Sequence, residues 1–159
     1  MKDRLTRVYV AGKLNDMAVE YLYNVHKLME TAEMVRNHGF SVFVPAIDLL
    51  MGIKFGYKEY TDYFDNGQPW LMASDAVFLT PGWQTSEGTK KEVELAGELG
   101  IPVFDDIEDL IEANKDGILQ RPFVDEMPEY VEGPGEDEDM DYDISTEIAS
   151  HFEDILDEE

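Results

Sequence analysis

Residues 80–98 read TPGWQTSEGTKKEVELAGE, and how this stretch is parsed decides the fold. It divides into the exit of a buried strand, a glycine-punctuated loop, and a helix that carries Glu92 on its first turns. Before it, Ala76-Val77-Phe78-Leu79 is a short apolar run of the kind that sits in a sheet covered on both faces; after it, Gly100-Ile101-Pro102-Val103-Phe104 starts another. Strand, loop, helix and strand make one βαβ unit. Ligands bind at the loop that leaves the carboxyl end of such a strand, because helix N-termini converge there with unpaired N–H groups and a positive dipole end. Ser86, Gly88 and Thr89 are therefore placed to receive an anion, and Glu92 looks across the same crevice from one turn further in.

Working outward, Arg7 to Ala11 (RVYVA) is β-rich and short, and Gly12 ends it in a tight turn. From Ala18 to Asn37 the apolar residues Leu22, Val25, Leu28, Met29, Ala32 and Val35 recur at three and four, which predicts a helix. Asn15 or Asp16 can cap its start, and Gly39 follows its end. Ser41 to Val44 is a second strand, stopped by Pro45. The pattern then loosens between Ala46 and Gln68, where three glycines and several aromatic residues read as a lid-like connection with one short helix. Phe55, Tyr57, Tyr60 and Phe64 either line that lid or pack over a sheet edge or a dimer partner. Pro69 to Ala73 adds a helical turn or two, Asp105 to Ala113 a last short helix, and Arg121 to Val124 a fifth strand or an irregular edge. Four or five strands alternating with helices indicate an α/β fold, a doubly wound and mostly parallel sheet of the Rossmann or flavodoxin type.

At 159 residues the chain is long enough for one domain with a real core, which we place at 1–124. Its charge is uneven. All 12 Lys and Arg precede Asp125 against 20 Asp and Glu, giving −8, and the last 35 residues hold 16 acids and no Lys or Arg, giving −16. Residues 125–143 therefore read as an acidic linker and 144–159 as an amphipathic helix, with Ile144, Ile148, Phe152 and Ile155 on one side. An acidic tail is a solvated segment or a ligand for a basic protein partner, and this charge balance argues against nucleic acid and anionic membranes. The absence of cysteine removes disulfide, zinc-thiolate and cysteine-nucleophile readings. No run approaches the ~20 apolar residues of a membrane span, and the first residues carry no leader pattern. The expectation is a soluble, cytoplasmic protein.

The chemistry narrows by elimination. Neither GxGxxG nor a Walker loop is present. His26, His38 and His151 read as surface or interface residues, and the run Asp105-Asp106 with Glu108-Asp109 as acids favoured by a helix start. No metal site is expected. What remains is Glu92 beside an anion-receptive helix start, with Asp62, Asp65 and Asp75 upstream; paired carboxylates facing a sugar carbon are what breaks glycosidic bonds.

Three segments then matter together: YVAG at 9–12, WLMASDAVFL at 70–79, and SEGTKKEVELAGELGIPV at 86–103. Over about Tyr9 to Phe104 the chain resembles the nucleoside 2-deoxyribosyltransferase superfamily, which includes the 2′-deoxynucleoside 5′-phosphate N-hydrolases. The resemblance implies that Glu92, four residues after Gly88, is the nucleophile, and that Tyr9 lies near it and the ribose. It implies a 5′-phosphate contact for Ser86 and, with it, a nucleoside monophosphate substrate. The amides around Gly88 and Thr89 would join in holding that phosphate, aided by Lys13, Lys90 or Lys91; Gly12 matches the first-strand motif of the substrate site, and Trp83 or the aromatic residues of the Phe55 to Phe64 loop would stack on the base. The chain departs from the pattern where the superfamily carries its second catalytic aspartate: that position is Gly67, and Asp65 is the nearest substitute. Lys13 and Asn15 likewise stand where the hydrolases place serine and arginine. The implied activity is hydrolysis of a (deoxy)nucleotide N-glycosidic bond with no metal or organic cofactor, in a homo-oligomer. Two alternatives stay open, a deoxyribosyltransferase and a nucleotide- or partner-binding protein with little or no catalysis.

Overall fold

The computed structural model describes residues 5–14, 18–56 and 60–119. Its centre is a sheet of four parallel strands in the order β2-β1-β3-β4, made of β1 (Arg7–Ala11), β2 (Ser41–Phe43), β3 (Ala76–Leu79) and β4 (Val103–Phe104). Registers are short and continuous: Val8 aligns with Val42 on one side and Ala76 on the other, and Val77 aligns with Val103. This is the expected doubly wound α/β architecture, flavodoxin-like in strand direction and in its helices on both faces.

Alternation along the strands divides the core in two. Val8, Val10, Ala76 and Phe78 face one way, against Val25, Leu28, Ala32 and Val35 of α1 (Ala18–Asn37) and Leu110 of α5 (Ile107–Lys115). Tyr9, Ala11, Val77 and Leu79 face the other way, against Leu71 of α3 (Tyr60–Met72) and Leu95 and Ala96 of α4 (Glu87–Glu98). A strand covered on both faces is apolar throughout, which is why β3 is buried at all four positions.

The two outer connections, β1 to β2 through α1 and β3 to β4 through α4, diverge from the middle pair of strands. The crevice beyond the ends of β1 and β3 is thus the topological switch point, where ligands of open α/β sheets bind. Gly12 closes β1 there. A Cβ at Gly12 would lie 1.9 Å from Thr80 Oγ1 and 2.7 Å from Leu28 Cδ1, so only glycine lets the two loops meet.

The connection from β2 to β3 differs from the sequence expectation. Two helices occupy it, α2 (Ile47–Phe55) and α3, where one short helix and a separate turn were expected. Pro69 sits inside α3, and the helix continues past it, Ala73 N donating to Pro69 O at 3.0 Å. Burial of Phe64, Gln68 and Leu71 at four and three outweighs the breaker signal of Gly67 and Pro69. The expected fifth strand, the cap at Asn15 or Asp16, the acidic linker and the terminal helix lie outside the described residues. Among those described, no helix is long and apolar enough to cross a membrane.

Asp75, at the opposite end of β3 from the crevice, is fully buried and structural in its contacts. It accepts from Arg7 N at 2.8 Å and from the Arg7 guanidinium at 3.2 and 3.1 Å, fixing the start of β3 to β1.

Candidate functional site

The site begins with two residues 83 positions apart. Tyr9 is 1% exposed, and its hydroxyl donates to Glu92 Oε1 at 2.7 Å. Tyr9 points to the α3/α4 face because odd positions of β1 do so. Glu92 meets it because it shares a helical face with Thr89, Leu95 and Ala96, the buried residues of α4. A carboxyl is thus set on the apolar stripe of an amphipathic helix, retaining only a partly exposed edge. Desolvation pushes its pKa from 4.5 up to about 7, against the smaller opposing pull of the Tyr9 hydrogen bond. Such a group changes charge near neutral pH, where catalytic carboxyls are most useful.

Around this pair the structure assembles residues from three more elements. Phe43 of β2 stacks on Tyr9 with ring centroids 5.6 Å apart, and Trp70 of α3 stacks on Phe43 at 5.0 Å, nearly parallel at 11°. The ladder runs from the buried tyrosine to a half-exposed tryptophan. Gly67 of α3 is buried beside the Tyr9 hydroxyl, which a Cβ there would approach to 3.1 Å. Asp65 is two residues away, about 200° around the helix axis from Gly67.

Ser86 is the N-cap of α4. Its hydroxyl oxygen accepts from Thr89 N at 3.2 Å and from Thr89 Oγ1 at 3.0 Å, which is why Thr89 is buried. Gly88 lies between them, partly exposed on the first turn. Lys90 is ion-paired to Glu87. Trp83, in the 3₁₀ turn Trp83–Thr85, packs against the Tyr9-side core, and its indole N–H is buried without a hydrogen-bond partner among the described residues. Lys13 follows Gly12 and lines a cavity on the α1 side whose walls include neither Tyr9 nor Glu92.

Elsewhere the bland readings have direct explanations. His26 pairs with Glu30, His38 Nδ1 lies 2.9 Å from Met34 O, and Asp106 caps α5 by accepting from Glu108 N at 2.8 Å. Three residues of interest were not singled out from sequence. Phe43 needs the strand register to be seen beside Tyr9, and Lys27 needs the fold of the β3–α4 loop. Gln68 carried a signal, being a polar residue four after Phe64 and three before Leu71 on a buried stripe.

The family model for a domain of unknown function, DUF4406, matches residues 6–105. No curated protein matches the chain. Among solved structures, a 2-deoxyribosyltransferase from the psychrotolerant bacterium Bacillus psychrosaccharolyticus superposes with a TM-score of 0.51 at 23% identity, covering 75% of this chain and 100% of that one. The similarity is one of fold.

Proposed function

The chain belongs to the DUF4406 family, and on that premise we propose that it hydrolyses the N-glycosidic bond of a (deoxy)nucleoside 5′-monophosphate through Glu92. The observation that carries the reading is the part-buried Tyr9–Glu92 hydrogen bond beside the sheet's switch point. The fold likeness to a deoxyribosyltransferase supports the class of chemistry.

In this mechanism ionised Glu92 attacks C1′, the carboxylate–C1′ bond forming as the C1′–N bond breaks. The base leaves with the bonding pair and takes a proton from the medium, because Asp65 lies about 200° around α3 from the Gly67 position that faces Tyr9. Water then attacks C1′ and frees Glu92, giving the sugar 5-phosphate and returning a proton to the medium. The Tyr9 hydroxyl holds the attacking carboxylate in one orientation and stabilises its charge in a dry setting. Ser86 and the first-turn amide of Gly88 would meet the phosphate, with Thr89 positioning Ser86 and Lys13 adding positive charge. Trp83 would offer its ring or its unpartnered N–H to the base. The reading includes a homo-oligomer in the cytoplasm, and the acidic tail would serve a basic protein partner.

A second reading, a nucleotide-binding protein with little or no catalysis, is favoured by one observation: the α3 position facing the Tyr9 hydroxyl is a glycine. Incubation with nucleoside monophosphates, with free base followed by chromatography, separates the two. The hydrolase releases base in a Glu92-dependent way. The binding protein gives a thermal shift with a nucleotide and no base. Transfer of the sugar to an added second base would indicate a deoxyribosyltransferase instead.

A further inference from the structure

Three groups meet at the Tyr9 hydroxyl: the tyrosine itself, Glu92, whose Oε1 accepts from it at 2.7 Å, and the α3 position held by Gly67. A Cβ at Gly67 would lie 3.1 Å from that hydroxyl, which, chain neighbours and the backbone of α3 apart, is the one described atom within 4 Å. The place beside the Tyr9–Glu92 pair is open and no side chain fills it. The acids of α3 face elsewhere: by helix geometry Asp65 lies about 200° and Asp62 about 140° around the axis from Gly67, and Asp62 is exposed. Trp70 is one turn on from Gly67 on the same side of α3, so the ladder of Trp70, Phe43 and Tyr9 ring faces borders the opening.

The charge around Glu92 is equally bare. Burial raises its pKa to about 7 and the Tyr9 hydroxyl pulls it down, and no lysine, arginine or second carboxyl among the described residues adds to these. A desolvated carboxylate with no cation beside it is costly. A positive charge brought in by a ligand would ionise it, and ring faces attract cations as well. The chemistry of the leaving group points the same way. A neutral base departs from C1′ as an anion unless an acid protonates it, which is the work of a second carboxyl. A base whose ring already carries a positive charge takes the bonding pair and leaves neutral, with no proton needed.

We propose that the Tyr9–Glu92 site takes nucleotides with a cationic base, the ring that bears the sugar being a pyridinium or the imidazolium of an N7-alkylated purine. The chemistry rests on the glycosidase reading and names the substrate class of that site. The Glu92 carboxylate bonds to C1′ as the C1′–N bond breaks, the electron pair goes to the ring nitrogen, and the positive charge of the ring is cancelled. Water then displaces Glu92 from C1′, giving the sugar 5-phosphate and one proton to the medium.

The test compares pairs that differ in that charge: nicotinamide mononucleotide with its 1,4-dihydro form, and 7-methylguanosine 5′-monophosphate with guanosine 5′-monophosphate. Base release by the full chain is followed by chromatography at pH 7. In at least one pair kcat/KM for the cationic member should exceed that for the neutral one by ~100-fold or more, the range that a missing general acid costs. The pair that responds tells the pyridinium from the alkylated purine. Gly67→Asp, which puts an acid beside the Tyr9 hydroxyl, should narrow the preference by about tenfold or more by speeding the neutral member, and Gly67→Asn, of the same bulk, should change it by less than about threefold. A smaller preference in the wild type, or equal narrowing by the two variants, would overturn the proposal. Neutral bases released as fast as cationic ones in a Glu92-dependent way would do so while leaving the glycosidase reading intact. Calorimetric titration needs no turnover: nicotinamide mononucleotide should bind the wild type about tenfold or more tighter than its dihydro form, and Glu92→Gln should lose most of that difference. Equal affinities would overturn the proposal, whereas the expected difference without base release would count against the glycosidase reading alone.

Discussion

Replacing Glu92 with glutamine should make the protein more stable at pH 8 and change little at pH 5. The carboxyl has a folded-state pKa of about 7, above its ordinary 4.5. Below 4.5 it is protonated whether the chain is folded or not, and contributes no difference. Between 4.5 and 7 the unfolded chain releases a proton that the folded protein still holds, so stability falls as pH rises. Above 7 the folded protein carries the whole penalty of an ionised, desolvated carboxylate. At about 1.36 kcal/mol per pH unit, the displacement corresponds to at most about 3 kcal/mol. Solvent at the partly exposed edge screens some of that, leaving about 2 kcal/mol. Glutamine keeps the volume and can accept the Tyr9 hydrogen bond while remaining neutral. Urea unfolding should therefore show Glu92→Gln more stable by about 2 kcal/mol at pH 8, and by well under about 1 kcal/mol at pH 5. A variant that is less stable than the wild type at pH 8, or whose advantage does not change with pH, would refute the assignment of Glu92 as a buried carboxyl held near its charge transition.

Three other substitutions probe the same frame. Tyr9→Phe removes the donor at 2.7 Å that lowers the Glu92 pKa, so the acidic limb of base release against pH should move to higher pH; the rate at neutral pH should fall roughly 10- to 100-fold. Gly67→Ala improves a helix interior by up to about 1 kcal/mol while crowding the Tyr9 hydroxyl, so turnover should drop more than thermal stability does, read by paired activity and melting assays. Gly12→Ala places a methyl 1.9 Å from Thr80 Oγ1, and should lower stability in denaturant by about 3 kcal/mol or more.

Much of this frame is legible in the sequence, and the exceptions have physical causes. β1 at Arg7–Ala11 and α1 at Ala18–Asn37 occupy the expected residues, because a β-rich pentapeptide ended by glycine and a 20-residue apolar stripe are local signals. The β3–loop–α4 unit follows for the same reason. The second and third helices were less visible, since Gly52, Gly56, Gly67 and Pro69 all read as breakers until the packing of Phe64, Gln68 and Leu71 is known. Burial of Glu92 was partly visible. Its spacing of three from Thr89 and four from Ala96 puts it on the apolar side of α4, although a helical glutamate is ordinarily solvated. That Tyr9 lies beside it was implied by the resemblance and not by any local pattern, and that Gly67 faces the same hydroxyl depends on strand register and on helix packing across the sheet. Contacts separated by 83 residues leave no local trace.

Whether Glu92 breaks a glycosidic bond is decided by base release from a panel of ribo- and deoxyribonucleoside 5′-monophosphates. Free base is expected from at least one member with the wild type and from none with Glu92→Ala. Release that persists undiminished in Glu92→Ala, or no release from any member while a nucleotide still raises the melting temperature, would contradict it.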